Sequence, residues 1–388
     1  MRRPLARVLA LFIALGVSAL IGQTLPGLHQ PRQIENALRM RPKAVRILVY
    51  GRFLPIWFSN IDQGKVPPPS RIEDSPRNLT DIETYDRAGV RVVATVFAWM
   101  KPGEALPPEG SAPWRRLQDD FAVFLRRYGP HLTWVTLDNE PTFDRAEADF
   151  QPGIGGVPHA LRFYGELAAR AQAEKKTNAS LAKLVVVSPG VYGMDQAARG
   201  ELEANVAEKM LPLLDWAATN ADIEAIDYHA HVKDADAFAA ALDFMGKRSG
   251  KPVLVCEWSQ APAGTEWLNR PLDGGFRRRY DLPPMTARQF VSRCHSNRVA
   301  LAQWEDFIAL APYDAGFIAR SFALGSAFGV KVMLYPHGQW GNTQFDPCSL
   351  LLNRTVPLKE DGTPQASGAF FGPYSAMMAE FEKAARQR

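Results

Sequence analysis

Short apolar runs alternate with longer amphipathic stretches along most of the chain. The runs are rich in β-branched residues and are bounded by Gly, Pro or Asp, as buried parallel strands are. Seven runs are clear, at residues 45–50, 91–97, 132–137, 184–189, 223–229, 252–257 and 300–304. Between them, apolar residues recur at helical spacing, most clearly at residues 114–129, 161–176 and 236–250. This alternation predicts an α/β protein built on a parallel sheet.

The number of runs favours a closed (β/α)8 TIM barrel that forms a single domain. An eighth strand is needed to close it, and we expect that strand before the helical pattern at 34–40, within residues 16–22 or 22–28. The seven clear runs then become strands two to eight, with Trp304 on strand eight. A C-terminal extension follows after about residue 310. A doubly wound open sheet is the alternative, but no Gly-rich phosphate-binding motif follows any run.

The first 22 residues have the pattern of a secretory signal. Arg2, Arg3 and Arg7 precede an apolar stretch of 15 residues, and Val17–Ala19 offers small residues for cleavage. A spanning helix needs about 20 apolar residues, so a cleaved signal peptide is favoured over an N-terminal membrane anchor. The sequence therefore predicts export to the periplasm or the extracellular space, with residues 23–388 forming the barrel domain.

Charge and cysteine content exclude some classes of partner. The chain carries a net charge of +4, of which the three leader arginines supply +3, so the remainder carries 4 − 3 = +1. A nearly neutral body argues against a nucleic-acid partner, and the one basic run, Arg277–Arg279, is interpreted as a solvated loop. The three cysteines have no metal-ligand spacing, and we expect neither a metal nor another cofactor.

Two glutamates follow different apolar runs at matching positions. Glu140 stands after the fourth strand in the segment Asp138-Asn139-Glu140-Pro141, and Glu257 closes the seventh strand. In a barrel the active site forms at the carboxyl ends of the strands, so these two side chains should face one cleft. Glycoside hydrolysis uses such a carboxyl pair, one group to protonate the leaving oxygen and the other to act at the anomeric carbon.

The Asn139-Glu140-Pro141 element, together with Glu257, resembles clan A glycoside hydrolases, which include cellulases, mannanases and β-xylosidases. The resemblance covers about residues 34–310 in scattered motifs. It implies a retaining mechanism with Glu140 as acid/base and Glu257 as nucleophile, acting on the β-glycosidic bonds of a poly- or oligosaccharide. It also implies that Asn139 hydrogen-bonds a sugar hydroxyl.

Other positions of this sequence match the same clan. Arg46 on strand two matches the arginine that keeps the nucleophile ionised, because a nearby cation lowers the pKa of a carboxylate. His229 matches the histidine of the clan's His-x-Tyr motif on strand six, whereas His231 stands where the tyrosine would be. Tyr228 should point to the opposite face of its strand, because side chains alternate.

Tryptophans fall near the predicted strand ends, where flat apolar rings can stack on sugars. Those expected in the saccharide cleft are Trp57, Trp99, Trp258, Trp267 and Trp304, the last matching the tryptophan under the reacting sugar in clan A. We expect Trp114, Trp134 and Trp216 to lie in the core or on helices instead.

Two alternatives come from other classes. Asp227, His229 and His231 alternate along one strand and could belong to a metal-dependent, amidohydrolase-like enzyme, although the expected ligands on other strands are missing. The second alternative is a non-catalytic carbohydrate-binding barrel that keeps the cleft. A serine hydrolase is not favoured, because the sequence has no G-x-S-x-G motif.

Overall fold

Eight parallel strands close into a barrel in sequence order, β1 to β8, with β8 pairing back to β1. The structure is a computed structural model. It describes residues 24–29, 34–39, 41–65, 76–97, 104–260, 267–296, 303, 306–307, 309–310 and 316–336. The closed barrel confirms the predicted (β/α)8 fold and rules out the open doubly wound sheet.

The strands are β1 Leu25–His29, β2 Ala44–Tyr50, β3 Arg91–Phe97, β4 Trp134–Thr136, β5 Val185–Tyr192, β6 Ala225–His231, β7 Val253–Ser259 and β8 Val332–Pro336. The helices are α1 Ile34–Arg39, α2 Leu54–Asp62, α3 Arg77–Arg87, α4 Ala112–Tyr128, α5 Pro141–Asp144, α6 His159–Thr177, α7 Met194–Arg199, α8 Ala204–Thr219, α9 Ala235–Ser249, α10 Gly274–Arg279, α11 Ala287–Ser296 and α12 Phe317–Ala327. Short 3-10 turns lie at Gly51–Phe53, Gly129–His131, Glu147–Phe150, Ile154–Gly156 and Ala179–Leu181.

The prediction of the first strand is close, and that of the eighth is wrong. β1 lies at Leu25–His29, overlapping the second of the two expected ranges and extending one residue beyond it. The strand that closes the barrel is Val332–Pro336, which pairs with β1, and not residues 300–304. The barrel is therefore completed by residues that were expected to form a C-terminal extension. An apolar run is ambiguous between strand and helix, and only ring closure decides which one pairs.

Side chains alternate between the inside of the barrel and the layer beneath the helices. One end of the interior is apolar and includes Ala44, Val93, Trp134, Leu254 and Leu334. Towards the carboxyl ends of the strands the inward positions become polar and buried, with Arg46, Thr95, Thr136, Asp227 and His229. The outer layer forms the main hydrophobic core, against which the helices pack. This change from apolar to polar places the site at the carboxyl end of the barrel.

A second, smaller core is formed by residues that follow β7 and precede β8 along the chain. Its buried members include Leu268, Phe276, Phe290 and Phe307. The basic run Arg277–Arg279 lies in the short helix α10 and not in a loop, and Arg279 pairs with Asp306 at 2.7 Å. Of residues 300–304, which were expected to form the eighth strand, only Gln303 lies within the described part of the chain.

Among the residues that the structure describes, no helix has the length and apolar character needed to cross a membrane. The predicted signal or anchor, residues 1–22, lies outside the described part of the chain.

Candidate active site

Glu140 and Glu257 face one another at the carboxyl end of the barrel. Glu140 follows β4 and is the residue from which helix α5 begins, while Glu257 lies inside β7. An oxygen of each carboxylate and a ring nitrogen of His231 all lie within 4.8 Å of one another. Carboxyl pairs of retaining glycosidases are about 5–5.5 Å apart, and those of inverting enzymes are about 6.5–9.5 Å apart. The two carboxyl groups are therefore close enough to act on one bond.

A bulge in β7 aims Glu257 into the site. The register along β6 pairs Tyr228 with Val255 but His229 with Glu257, so Cys256 is the extra residue of β7. Cys256 lies with the interior residues of the barrel, and Trp258 belongs to the outer core. A bulge re-aims the side chain beside it. Here it lets Cys256 and Glu257, although adjacent, both turn towards the barrel interior.

Arg46 connects several parts of the site through one buried guanidinium. Its Nη1 donates to Glu257 Oε1 at 2.5 Å, its Nη2 to Asn139 Oδ1 at 2.8 Å, and its Nε to Thr95 Oγ1 at 2.7 Å. Its Nη1 also lies 3.2 Å from His29 Nδ1. The rigid planar fork of arginine can hold several acceptors at fixed positions, which lysine cannot do.

His229 lies between both glutamates and a buried aspartate. Its Nδ1 is 2.8 Å from Glu140 Oε1 and 3.7 Å from Glu257 Oε1. Its Nε2 is 3.5 Å from Asp227 Oδ2, at ion-pair distance. Burial alone would lower the pKa of His229, but the attraction of Glu257 and Asp227 outweighs burial and raises the pKa to about 10. At neutral pH His229 is therefore a cation that donates to Glu140.

The surroundings of Glu257 favour its ionised form. Burial by itself would raise the pKa of Glu257, but the positive charge of His229, the hydrogen bond from His231 and the charge of Arg46 hold it well below its usual range. His29 approaches Glu257 Oε1 to 3.6 Å, and burial lowers the pKa of His29 to about 3, so this ring is neutral at neutral pH. Glu257 is thus a carboxylate, as a nucleophile must be.

His231, at the position where a tyrosine was expected, contacts Glu257. Its Nε2 lies 3.4 Å from Glu257 Oε2, and its Nδ1 lies 2.7 Å from Ser259 Oγ. Tyr228 points away from the site, as predicted, and stacks against Phe238 in the outer core. Both histidines of β6 therefore approach Glu257, and His231 is held in place by a hydroxyl on β7.

A buried ion pair holds the turn that carries Asn139 and Glu140. Asp138 is fully buried and accepts hydrogen bonds from Arg145 Nε at 2.9 Å and from the hydroxyl of Tyr164 at 2.6 Å. Asp144 accepts from the amide of Glu140 and from Asn139 Nδ2, each at 3.2 Å. Burial and the neighbouring Asp138 raise the pKa of Asp144 to about 6.

Two tryptophans that were expected in the saccharide cleft, Trp57 and Trp258, are buried instead. Trp258 is fully buried and stacks against Phe317 at 5.4 Å, so it packs beneath a helix and does not line the cleft. Trp57 is also buried, against Tyr50 and Phe53. The physical reasons are the bulge in β7, after which Trp258 faces the outer core, and the packing of helix α2, which buries Trp57.

Of the other tryptophans, four pack in or against a hydrophobic core and two lie outside the described residues. Trp267 packs in the small core near Phe307. Trp114 and Trp134 are core residues and Trp216 packs against the core, as predicted. Trp99 and Trp304 lie outside the described residues.

Several site residues were missed by the sequence reasoning. They are His29 on β1, Thr95 on β3, Asp144 on α5, Tyr192 on β5, Ser259 on β7 and the buried pair Asp138–Arg145. Polar residues at the inward positions of apolar strands were the available signal for His29 and Thr95. No local signal marks Arg145 or Tyr164, because they reach Asp138 only through the fold.

Glu140, His231 and Glu257 also form a group that could hold a metal ion, since one ligand atom from each lies within 4.8 Å of the others. This group shares only His231 with Asp227, His229 and His231, the set that alternates on β6 and suggested a metal-dependent enzyme from the sequence. Glu140 and Glu257 already face the cations His229 and Arg46, at 2.8 and 2.5 Å. An incoming divalent ion would have to compete with both cations, so the donor set fits a metal poorly.

A closed parallel barrel with glutamates following β4 and on β7 is the architecture of clan A glycoside hydrolases, and the chain resembles that clan in its fold. Among solved structures, a family 10 xylanase from Bispora sp. MEY-1 with xylobiose is similar at 8% sequence identity, with 95% of this chain and 97% of that chain covered and a TM-score of 0.50. A structure of fungal β-1,4-galactanases is similar at 14% identity, with 93% and 100% covered and a TM-score of 0.48.

A psychrophilic family 10 endo-β-1,4-xylanase is similar at 12% identity, with 94% of this chain and 96% of that chain covered and a TM-score of 0.47. No family model and no curated protein matches the chain. At such identities these likenesses concern the fold alone.

Proposed function

We propose that the protein is a retaining glycoside hydrolase that cleaves β-glycosidic bonds in a poly- or oligosaccharide. The observation that carries the proposal is the pair Glu140 and Glu257, whose oxygens approach within 4.8 Å at the carboxyl end of the barrel. The separation suits direct attack by one carboxylate while the other transfers a proton.

In the first step a Glu257 carboxylate oxygen attacks the anomeric carbon. The bond from that carbon to the glycosidic oxygen breaks, and the proton of the Glu140 carboxyl group passes to the leaving oxygen. In the second step Glu140 takes a proton from water, the water oxygen bonds to the anomeric carbon, and the bond to Glu257 breaks. No cofactor is needed for either step.

The neighbours of the two glutamates support these roles. Arg46 and His229 stabilise the charge on Glu257, and His229 fixes Glu140 through its hydrogen bond at 2.8 Å. Asn139 uses its amide oxygen for Arg46 and one N–H for Asp144. Among its described contacts, this leaves the second N–H to donate to a sugar hydroxyl beside the reacting carbon.

The test is hydrolysis of β-glucan, β-mannan and β-xylan by the wild type and by Glu257→Gln, with product configuration followed by proton NMR. We expect β-anomers to appear first with the wild type and turnover to be lost in Glu257→Gln. First release of α-anomers would mean inversion. Binding of these glycans without any turnover would favour the non-catalytic carbohydrate-binding barrel. The absence of both binding and turnover would refute the proposal.

We further propose that the protein is exported, on the basis of the basic and apolar pattern of residues 1–22. N-terminal sequencing of protein from the host would find a start just after Ala19 if the leader is cleaved. An intact Met1 on membrane-associated protein would indicate an anchor.

A further inference from the structure

Phe143 presents a large apolar ring to solvent beside the candidate active site. It is 65% exposed, and the other exposed large apolar residues among those described are Ile56, Val123 and Val157. Single exposed apolar residues are common on protein surfaces and carry no meaning by themselves. The position and support of this ring are what set it apart.

The ring of Phe143 is held in one orientation. It stacks on Tyr192 with ring centroids 4.6 Å apart and an interplanar angle of 16°. The hydroxyl of Tyr192 accepts a hydrogen bond from Thr142 Oγ1 at 2.8 Å, and the Phe143 amide donates to Glu140 O at 2.9 Å. With one face against Tyr192, the exposed area of Phe143 belongs to its opposite face and its edge.

This aromatic pair lies on the Glu140 side of the site. Glu140 and Phe143 belong to the same helical turn, which begins at Pro141. On the sheet, Tyr192 is the register partner of His229, whose Nδ1 contacts Glu140 Oε1 at 2.8 Å. Burial chiefly raises the pKa of Tyr192, and the nearby charge of Glu140 contributes in the same direction.

We propose that Phe143, supported by Tyr192, is a stacking platform for the sugar on the leaving-group side of the scissile bond. This rests on the proposed function, in which Glu140 protonates the glycosidic oxygen of the leaving sugar. That sugar must lie on the Glu140 side of the cleft. The C–H face of a pyranose ring packs well on a flat, rigid aromatic ring that loses little freedom on binding.

The experiment compares a sugar leaving group with a leaving group that has no ring. The substrates are cellotetraose, mannotetraose and xylotetraose, each paired with the β-biosyl fluoride of the same sugar. Fluoride departs without touching the platform, so the ratio of the two kcat/KM values reports on Phe143. We expect Phe143→Ala to lower this ratio about tenfold, the size of one aromatic contact.

Phe143→Tyr should bring the ratio back to within about twofold of the wild type, because the stacking face is kept. Val123→Ala, which removes another exposed apolar group on α4, is the matched control and should leave the ratio unchanged. A wild-type ratio in Phe143→Ala, with the substrates still turned over, would overturn the platform and leave the proposed function standing. Turnover of none of the six substrates by the wild type would overturn both.

Discussion

Arg46 Nη1 lies 2.5 Å from Glu257 Oε1, and the guanidinium that makes this contact is completely buried. The same side chain reaches Asn139 and Thr95, so one cation on β2 fixes groups on β3, the β4 turn and β7. A buried cation of this kind is stable only because acceptors surround it, and removing it would take from Glu257 and Asn139 the donor that they share.

Arg46→Lys should lower kcat by about 10²–10³-fold, the range seen when a preorganised donor is removed. Lysine keeps the charge but cannot reach three acceptors together. The pKa of Glu257 should rise, moving the acidic limb of the kcat/KM profile to higher pH. The measurement is that pH profile, with Arg87→Lys on the exposed end of α3 as control. An unshifted acidic limb would contradict the role given to Arg46.

Variants of the two glutamates should differ in their dependence on the leaving group. Glu140→Ala should lose at least about 10²-fold on oligosaccharides, because their leaving oxygen needs a proton, and much less on glycosyl fluorides. Glu257→Ala should lose activity on both, because the nucleophile acts on either substrate. Steady-state kinetics with both substrate types would separate the roles. The reversed pattern would show that the two assignments are exchanged.

Loss of the His229 proton at high pH should make the protein less stable in alkali. The folded-state pKa of about 10 lies above the ordinary value of 6.5, so the folded protein holds this proton more tightly than the unfolded chain does. The resulting stabilisation is complete below the unfolded pKa and is lost as pH rises through the folded pKa. Denaturant unfolding of the wild type should give a smaller free energy of unfolding at about pH 9 than at about pH 6.

His229→Gln should weaken that alkaline dependence. Should this variant fail to fold, NMR titration of the wild-type imidazole gives the same information. A His229 resonance that titrates near its ordinary value of 6.5 would contradict the ion-pair assignment.

Gly190 on β5 leaves room for Asn139 and His229, and Gly190→Ala should lower both the stability and the activity of the protein. A Cβ there would meet Asn139 O at 2.3 Å and His229 Nε2 at 2.7 Å. We expect a loss of about 1–3 kcal/mol in the free energy of unfolding, together with reduced kcat. Gly246→Ala is the control, because a Cβ at this position in α9 meets nothing within 4 Å.

Gly246→Ala should be neutral or slightly stabilising, as alanine is favoured in a helix. Thermal unfolding and kcat of both variants check this pair. Wild-type kcat in Gly190→Ala would mean that the backbone shifts without moving Asn139 or His229.

Chelation by EDTA should leave turnover unchanged. Glu140 and Glu257 are already balanced by His229 and Arg46, so no divalent ion is required to hold the two carboxylates together. The check compares kcat before and after dialysis against EDTA, with metal content measured in parallel. Loss of activity that returns on adding one particular metal ion would favour the metal-dependent alternative.

The sequence by itself determined the strand–helix alternation and the identity of the two glutamates. Strand and helix periodicity are local properties, and polar residues at the end of a parallel strand must meet at one edge of the sheet. The proximity of Arg46 to Glu257 was expected only from the resemblance to clan A, whose strand-two arginine Arg46 matches.

Only the tertiary structure decided which segment closes the barrel and which rings face the cleft. Closure by Val332–Pro336 depends on pairing with β1, some 300 residues away along the chain, so no local pattern could identify it. Trp258 turns into the core because the bulge in β7 uses two inward positions in succession before it. Phe143, on the helix after β4, faces solvent beside Glu140 because Tyr192 on β5 supports its other face. The local sequence pattern determines secondary structure and the chemistry of each side chain, whereas long-range contacts determine which side chains lie next to one another.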